Sequence, residues 1–271
     1  MCLDGPLQWQ RLRSRLAEMS RQSAFMSSRT ALAALSGHAL CLDVDGTILD
    51  IAPTPSAVEV PPWMVPLLQE LHRRLDGAVA FVSGRTIADI DRLFAPLTLP
   101  AIGVHGGEIR IPGGPVTRDD ELSGELAAAK PFLMRSIQPL RGVLLEDKRS
   151  AIALHYRNAP EFGREVLKIA ELALARMGGD FAVLVGKCVV EMRPRHLTKG
   201  MGLQRLMETP PFRGRTPIFA GDDISDEDAF EVVNRLGGIS VRVGKPARTA
   251  ATCHLADPDQ LRRWLQEIAT G

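Results

Sequence analysis

The sequence lacks the features that mark several large classes of protein. Its four cysteines form neither a CxxC pair nor any other zinc-ligand spacing. No apolar run reaches the roughly 20 residues that a membrane-spanning helix needs. The formal net charge of +1 gives no support for binding nucleic acid or an acidic membrane surface. We therefore expect a globular protein without nucleic-acid or membrane partners.

The first residues lack the layout of a signal peptide. Cys41 and Cys188 stand within apolar runs, where reduced cysteine behaves as a small core residue. Both features favour a cytoplasmic protein. Residues 1–36 are predicted to be an N-terminal helical extension, with a loosely ordered arm as the alternative. The sequence leaves the choice between a monomer and a dimer open.

From about residue 37, short apolar runs alternate with amphipathic stretches of helical spacing. This alternation predicts an α/β protein, with a Rossmann-like doubly wound parallel sheet and helices on both faces. The apolar runs that we interpret as its strands are 38–42, 78–82, 101–104, 216–220 and 239–243.

The middle of the chain shows paired apolar runs instead. Residues 181–185 and 188–192 flank Gly186 and Lys187, a sequence typical of a hairpin turn. We therefore predict a smaller α+β cap domain at 107–196, inserted into a core formed by 37–106 and 197–271.

The stretch CLDVDGTILD follows the first predicted strand directly. Asp43 and Asp45 stand two residues apart, so both can face one cavity in an extended chain. Gly46 permits a sharp turn, and Thr47 adds a hydroxyl. Such a pair could bind a hard cation such as Mg²⁺, or one carboxylate could act as a nucleophile. An ordinary Asp-Gly turn is the structural alternative.

Three further segments favour chemistry over a simple turn. FVSGRT ends a strand at Ser83, IFAGDDISDED ends another at Asp222, and TKGMGLQRLM begins a helix at Lys199. In open α/β sheets, sites form at the carboxyl ends of the strands. A phosphate dianion repels a carboxylate nucleophile, and a lysine and Mg²⁺ neutralise that repulsion.

The order DxDGT, Ser, Lys and GDD resembles the haloacid dehalogenase superfamily of phosphatases. Over about residues 38–265, further motifs are similar to the trehalose-6-phosphate phosphatases of that superfamily. These motifs are GVHGGE, LEDKRSAIALHYR, GKCVVE, RPRHLTKG, GDDISDEDAF and VVNRLGGISVRVG.

The resemblance implies a role for each matching residue of the core. Asp43 would be the nucleophile, Asp45 the general acid and base, and Lys199 the balancing charge. Asp43, the main-chain carbonyl of Asp45 and Asp222 would hold Mg²⁺. Thr47, Ser83, Gly84 and Arg85 would contact the phosphate or orient its surroundings, although Arg85 could instead pair with an acid. Asp223 and Asp226 are weaker candidates. Asp50 has no implied role, and we interpret it as a solvated loop residue.

In the cap, the resemblance favours sugar contacts by Glu146, Lys148, Lys187 and Glu191, because charged groups suit hydroxyls that both donate and accept. Solvated charges or ion pairs are the alternative. His105 is interpreted as mainly structural, and Arg157 as either an ion-pair partner or a ligand contact.

The resemblance implies a Mg²⁺-dependent phosphatase that hydrolyses trehalose 6-phosphate, a small-molecule substrate, to trehalose and phosphate. Two alternatives stay open. The chain could act on another sugar phosphate such as sucrose 6-phosphate, because a catalytic core does not determine its substrate. It could also be an inactive regulator that binds sugar phosphates, although Asp43, Asp45, Lys199 and Asp222 are all present.

Overall fold

The computed structural model describes residue 35 and residues 37–52, 54, 57–245 and 248–270. Apart from Leu35, the predicted extension at 1–36 lies outside the described residues. In the described part of the chain, no helix has the length and apolar character needed to cross a bilayer.

The strands lie in two sheets. In chain order they are β1 (His38–Leu42), β2 (Val79–Val82), β3 (Ala101–Gly103), β4 (Glu108–Arg110), β5 (Val116–Arg118), β6 (Leu144–Asp147), β7 (Ile152–His155), β8 (Phe181–Gly186), β9 (Val189–Pro194), β10 (Thr216–Gly221), β11 (Ile239–Val243) and β12 (Cys253–Leu255). The larger sheet has the order β12–β11–β10–β1–β2–β3–β4–β5. It is parallel from β12 to β3 and antiparallel at β4 and β5.

Seven α-helices of the described chain accompany these strands. They are α1 (Met64–Arg74), α2 (Ile87–Leu93), α3 (Ser123–Ile137), α4 (Gly163–Met177), α5 (Lys199–Met207), α6 (Glu227–Arg235) and α7 (Pro258–Thr270). Helix α1 packs against α7, and α5 packs against α6. Together with the parallel strands, these helices confirm the predicted α/β fold class.

Strand β1 lies in the middle of the larger sheet, and its last four residues are buried. Continuous burial explains its unbroken apolar sequence, since a strand covered on both faces needs no polar alternation. The chain leaves β1 for β2 on one side, while β10 pairs with β1 on the other. A reversal of this kind opens a crevice at the carboxyl ends of the strands, which is where a ligand site is expected.

The smaller sheet has the order β6–β7–β9–β8, is antiparallel throughout, and packs with α3 and α4. It has its own apolar cluster, including Leu126, Ile152, Val166, Phe181 and Val190. The strands β4 and β5, predicted to lie in the cap, instead extend the larger sheet. The division into core and cap stays our proposal, with its first boundary moved from 107 to just after 118.

The cap hairpin differs from its prediction by one residue. Gly186 pairs with Val189, so the turn consists of Lys187 and Cys188 rather than Gly186 and Lys187. Cys188 adopts the left-handed conformation, with φ of 61°. Because Cys188 takes this conformation, Gly186 stays in the strand ladder and Lys187 stands at the tip of the hairpin.

Candidate active site

All the predicted site residues except Thr47 line one cavity between the larger sheet and the cap. These residues are Asp43, Asp45, Ser83, Gly84, Arg85, Glu146, Lys148, Lys187, Glu191, Lys199 and Asp222. The main-chain N–H of Asp43 donates to Ala220 of the neighbouring strand at 2.9 Å, which continues the parallel pairing up to the site. The site therefore stands at the sheet edge that the strand order predicts.

Two donors hold the buried carboxylate of Asp43. Lys199 Nζ donates to Asp43 Oδ1 at 2.9 Å, and Thr47 Oγ1 donates to Asp43 Oδ2 at the same distance. Lys199 is the first residue of α5, which Thr198 caps by accepting from the N–H of Met201. Burial lowers the pKa of Lys199, but Asp226 and Asp43 outweigh it, so the net pKa is raised and Lys199 stays charged.

Asp226 fixes the loop that follows β10. Its Oδ1 accepts from Lys199 at 2.7 Å, and its Oδ2 accepts from the N–H groups of Asp222 and Asp223 at 2.9 Å each. Asp223 caps the short 3₁₀ turn Ile224–Asp226 by accepting from Ile224 N–H. Asp226 therefore positions Asp222, and both of its own carboxylate oxygens are already used within the protein.

The acidic residues fit a divalent metal ion. Asp43, Asp222 and Asp226 have carboxylate oxygens within 4.8 Å of one another, and hard divalent cations prefer such oxygens. Asp226 accepts three internal hydrogen bonds, whereas Asp43 and Asp222 accept two each, so Asp43 and Asp222 have more acceptor capacity left for a metal ion. Gly46 has φ of 81°, and a Cβ at this position would overlap the Asp222 carboxylate, so only glycine leaves room for it.

Electrostatics support the same conclusion. Burial raises the pKa of Asp43, Lys199 opposes this, and the carboxylates of Asp226 and Asp222 add to it, so the net pKa lies well above its ordinary value. Burial and Asp226 likewise raise the pKa of Asp222. Negative charges brought together in this way are stabilised by a bound cation.

Arg85 forms an ion pair with Asp45, the residue expected to be the general acid and base. Its Nε and Nη2 donate to the two carboxylate oxygens of Asp45 at 2.6 and 2.7 Å. The sequence left open whether Arg85 contacts the phosphate or pairs with an acid, and in this structure Arg85 pairs with an acid. Ser83 is buried beside it, and Ser83 Oγ accepts from the N–H of Arg85 at 3.2 Å.

The cap contributes charged groups to the same cavity. Lys148 Nζ donates to the main-chain carbonyl of Gly84 at 2.8 Å and to Glu191 Oε1 at 3.2 Å. Lys187 donates to Asp222, and the Glu146 carboxylate accepts from His155 Nε2 at 2.7 Å. The predicted cap residues therefore lie together, and their sugar contacts stay predictions.

Glu191 and Lys148 form a buried charged pair. Burial raises the pKa of Glu191, but contact with His105 and Lys148 outweighs it and lowers the net pKa. Burial lowers the pKa of Lys148, and Glu191 and Glu146 outweigh it in the opposite direction. Both groups are consequently charged at neutral pH.

Three residues have partners that the sequence did not indicate. Asp50, interpreted as a solvated loop residue, pairs with Arg262 of α7 at 2.5 Å. Arg157 donates to two main-chain carbonyls. His105, interpreted as mainly structural, lies 2.6 Å from Glu191 in the cavity. Its place in GVHGGE, directly after β3, is the signal that could have indicated it, since strand ends form the site.

The fold and the site together define a class of protein: a phosphatase of the haloacid dehalogenase type, with a cap over an acidic centre. The family model for trehalose-phosphatases matches residues 41–259. A probable trehalose-phosphate phosphatase of Sinorhizobium fredii is 45% identical over 212 residues, which is 78% of this chain and 80% of that protein. The trehalose-6-phosphate phosphatase of Escherichia coli is 39% identical over 237 residues, 86% of this chain and 87% of that protein. The chain therefore belongs to the trehalose-phosphatase family.

Solved structures share the fold. The C-terminal domain of trehalose-6-phosphate phosphatase from C. albicans has a TM-score of 0.78 at 22% identity, covering 92% of this chain and 99% of that one. The C-terminal domain of a trehalose synthase regulatory protein from Candida albicans has a TM-score of 0.67 at 14% identity, covering 93% and 97%. Because a protein named as a regulator shares the fold, the fold alone does not establish an activity.

Proposed function

We propose that this chain hydrolyses trehalose 6-phosphate to trehalose and inorganic phosphate through a phosphoaspartate, as the last step of trehalose biosynthesis. The observation that carries the proposal is the contact of Lys199 and Thr47 with opposite oxygens of Asp43, beside Asp222. This arrangement leaves a carboxylate held in place and charge-balanced, as nucleophilic catalysis requires. The activity named for the bacterial relatives at 45% and 39% identity supports the choice of substrate.

In the first step, an oxygen of Asp43 attacks phosphorus, and the bond from phosphorus to the sugar oxygen breaks. Asp45 gives a proton to that leaving oxygen. A carboxylate that accepts from two guanidinium nitrogens has no proton to deliver, so Asp45 must leave Arg85 and take up a proton from solvent before the first turnover. In later turnovers, the proton that it takes from water in the second step serves. We expect the arriving phosphate dianion to compete for Arg85, which gives Arg85 its role in binding the substrate.

In the second step, Asp45 takes a proton from water, and the water oxygen attacks phosphorus. The bond between phosphorus and Asp43 breaks, which releases phosphate and restores the carboxylate. Ser83 Oγ–H and the main-chain N–H of Gly84 donate to the phosphoryl oxygens meanwhile. Lys199 keeps the charge of Asp43 balanced in both steps.

The metal proposed for this site is Mg²⁺, held by Asp43, the main-chain carbonyl of Asp45 and Asp222. When bound, it supplies positive charge against the repulsion between the phosphate and the nucleophile. The all-oxygen donor set supports a hard cation. Removal of the metal with a chelator should therefore abolish turnover, and Mg²⁺ should restore it.

The cap residues Glu146, Lys148, Lys187 and Glu191 are proposed to bind the sugar hydroxyls. Their position around one cavity with Asp43 supports this role, because a sugar phosphate has many hydroxyl groups and needs polar partners. The protein is further proposed to be cytoplasmic and to act as a monomer or dimer on this small-molecule substrate alone.

The test is phosphate release from trehalose 6-phosphate, sucrose 6-phosphate, glucose 6-phosphate and an aryl phosphate, each with Mg²⁺ and with a chelator. We expect metal-dependent turnover with a strong preference for trehalose 6-phosphate. Metal-dependent turnover without that preference would refute trehalose 6-phosphate as the substrate. It would leave the proposed metal-dependent phosphatase mechanism standing. Binding of the sugar phosphate with no turnover under any condition would instead support the inactive regulator.

A further inference from the structure

The segment after β3 has an unusual backbone. Val104, His105 and Gly106 have φ values of 47°, 52° and 106°, all in the left-handed region. This region is strained for residues with a side chain, most of all for β-branched valine. Two hydrogen bonds hold the segment: Val104 N–H donates to Arg85 O at 2.9 Å, and His105 N–H donates to Ser83 O at 3.1 Å.

This backbone brings the His105 imidazole against the cap. His105 Nε2 lies 2.6 Å from Glu191 Oε2, and both side chains are at least nine-tenths buried. Burial lowers the pKa of His105 despite the nearby carboxylate, so the ring is neutral and donates its Nε2–H to Glu191. The Nδ1 atom is buried and has no hydrogen-bond partner among the described residues.

The two oxygens of Glu191 thus have different donors. Oε2 accepts from His105 of the core, and Oε1 accepts from Lys148 of the cap. Lys148 in turn donates to the carbonyl of Gly84, next to Ser83. A Cβ at position 84 would overlap the His105 ring, so glycine is needed there for the imidazole to approach. One continuous set of contacts therefore links the loop proposed to bind phosphate with the cap.

We propose that His105 is a positioning residue for substrate recognition, which orients the Glu191 carboxylate when the cap lies on the core. Without His105, the carboxylate would be free to turn towards Lys148 with either oxygen, and its sugar-facing lone pairs would lose their direction. His105 acts on the substrate through Glu191. The inference rests on the proposed function, because it assigns Glu191 to the sugar.

Two substitutions separate this role from a structural one. Asn tolerates left-handed backbone well but is too short to reach Glu191. Gln fits that backbone less well, yet its amide can replace the Nε2–H donor. A positioning role predicts that His105→Gln retains more function than His105→Asn, whereas a purely structural role predicts the reverse.

The readout is kcat and KM for trehalose 6-phosphate and for an aryl phosphate, which lacks the sugars. In His105→Asn we expect the KM for trehalose 6-phosphate to rise about tenfold, the typical effect of one hydrogen bond to a charged group. The ratio of kcat/KM for the two substrates should fall by the same factor. In His105→Gln the ratio should recover to within about threefold of the wild type. His72→Ala, which alters a partly buried histidine of α1, is the matched control and should leave the ratio unchanged.

A double-mutant cycle tests whether His105 acts through Glu191. In a Glu191→Ala background, His105→Asn should change the ratio by less than about twofold. Provided that the wild type is active, either of two results would overturn the inference. One is a full tenfold change of the kcat/KM ratio in the Glu191→Ala background, and the other is a higher ratio for His105→Asn than for His105→Gln. Absence of wild-type turnover of trehalose 6-phosphate would refute the proposed function, and the inference with it.

Discussion

Buried charges at the site depend on a few specific partners. Asp43 is 4% exposed and has Lys199 on one oxygen and Thr47 on the other. Isolating such a charge from water is costly, and removing one partner leaves the other uncompensated. Substitutions that change a single atom of these side chains should therefore alter both turnover and stability measurably.

Replacement of the proposed nucleophile provides the first prediction. Asp43→Asn should lower kcat for trehalose 6-phosphate by more than about a thousandfold, because an amide oxygen does not form the phosphoaspartate. The fold should survive, since the neutral amide removes repulsion from Asp222 and Asp226. Phosphate release and thermal melting measure the two effects. Asp50→Asn is the control, because its 76% exposed side chain pairs with Arg262 outside the cavity. Residual activity above about a tenth of wild type would refute the mechanism.

The lowered pKa of Glu191 gives a prediction about pH. A carboxylate whose pKa is lower in the folded state stabilises the protein above its unfolded pKa, about 4.5, and loses that contribution as the pH falls further. Between pH 6 and pH 3, His105→Gln should therefore lose more unfolding free energy than the double variant His105→Gln/Glu191→Gln. The His105→Gln background removes the imidazole that contacts Glu191 and has a lowered pKa of its own, and Lys148 stays charged in both proteins. Urea unfolding at both pH values measures the difference, and parallel losses would contradict it.

Sequence predicted the residues of the site better than their partners. Asp43, Asp222 and Lys199 could be grouped because strand ends meet at one sheet edge. The pairing of Arg85 with Asp45, and of Asp50 with Arg262, joins residues 40 and 212 positions apart. Such pairs depend on where long side chains end in a folded cavity, which local patterns do not encode.

At the scale of elements, strands buried on both faces were the most predictable. The predicted run 38–42 coincides with β1, and 239–243 coincides with β11. The short strands β4 and β5 were assigned to the cap, because an antiparallel pair looks the same in sequence whether it extends one sheet or begins another. The hairpin register was missed because Cys188, not glycine, takes the left-handed position.

The turn after β1 provides a prediction at this scale. Gly46→Ala should lose about 1–2 kcal/mol of unfolding free energy from backbone strain, and its Cβ would also displace Asp222. Affinity for Mg²⁺, measured by calorimetric titration, should fall about 10- to 100-fold. Gly113→Ala is the matched control: its φ is 70°, and an added Cβ meets nothing within 4 Å. It should show the same strain with unchanged metal affinity. Equal affinities in both variants would contradict the proposed role of Gly46.

At the scale of the whole molecule, polar contacts join the cap to the core, whereas each of the two is built around an apolar cluster. The cap has its own apolar cluster, distinct from that of the larger sheet. Polar contacts join the two, among them His105 with Glu191, and Lys148 with Gly84. Interfaces of this polar kind commonly permit relative motion of two domains. Closure of the cap over the substrate would then exclude water during phosphoryl transfer.

Arg157 offers the sharpest test of this motion. From the cap, its Nη1 donates to the carbonyl of Ala52 in the core at 2.6 Å, and its Nη2 donates to the carbonyl of Lys187 at 2.8 Å. It thereby ties the hairpin tip to the loop after β1. Without it, the closed arrangement loses a charged donor at both carbonyls and should be less populated.

Arg157→Ala should therefore increase the radius of gyration of the substrate-free protein, measured by small-angle X-ray scattering. It should also raise the KM for trehalose 6-phosphate about tenfold, because the closed arrangement that binds the substrate would be less populated and part of the binding free energy would go into closing the cap. Arg164→Ala, at an exposed position of α4, removes the same charge without touching the core and should change neither value. An unchanged radius with a raised KM would assign Arg157 to the sugar itself. No change in either quantity would mean that the cap stays closed by its other contacts.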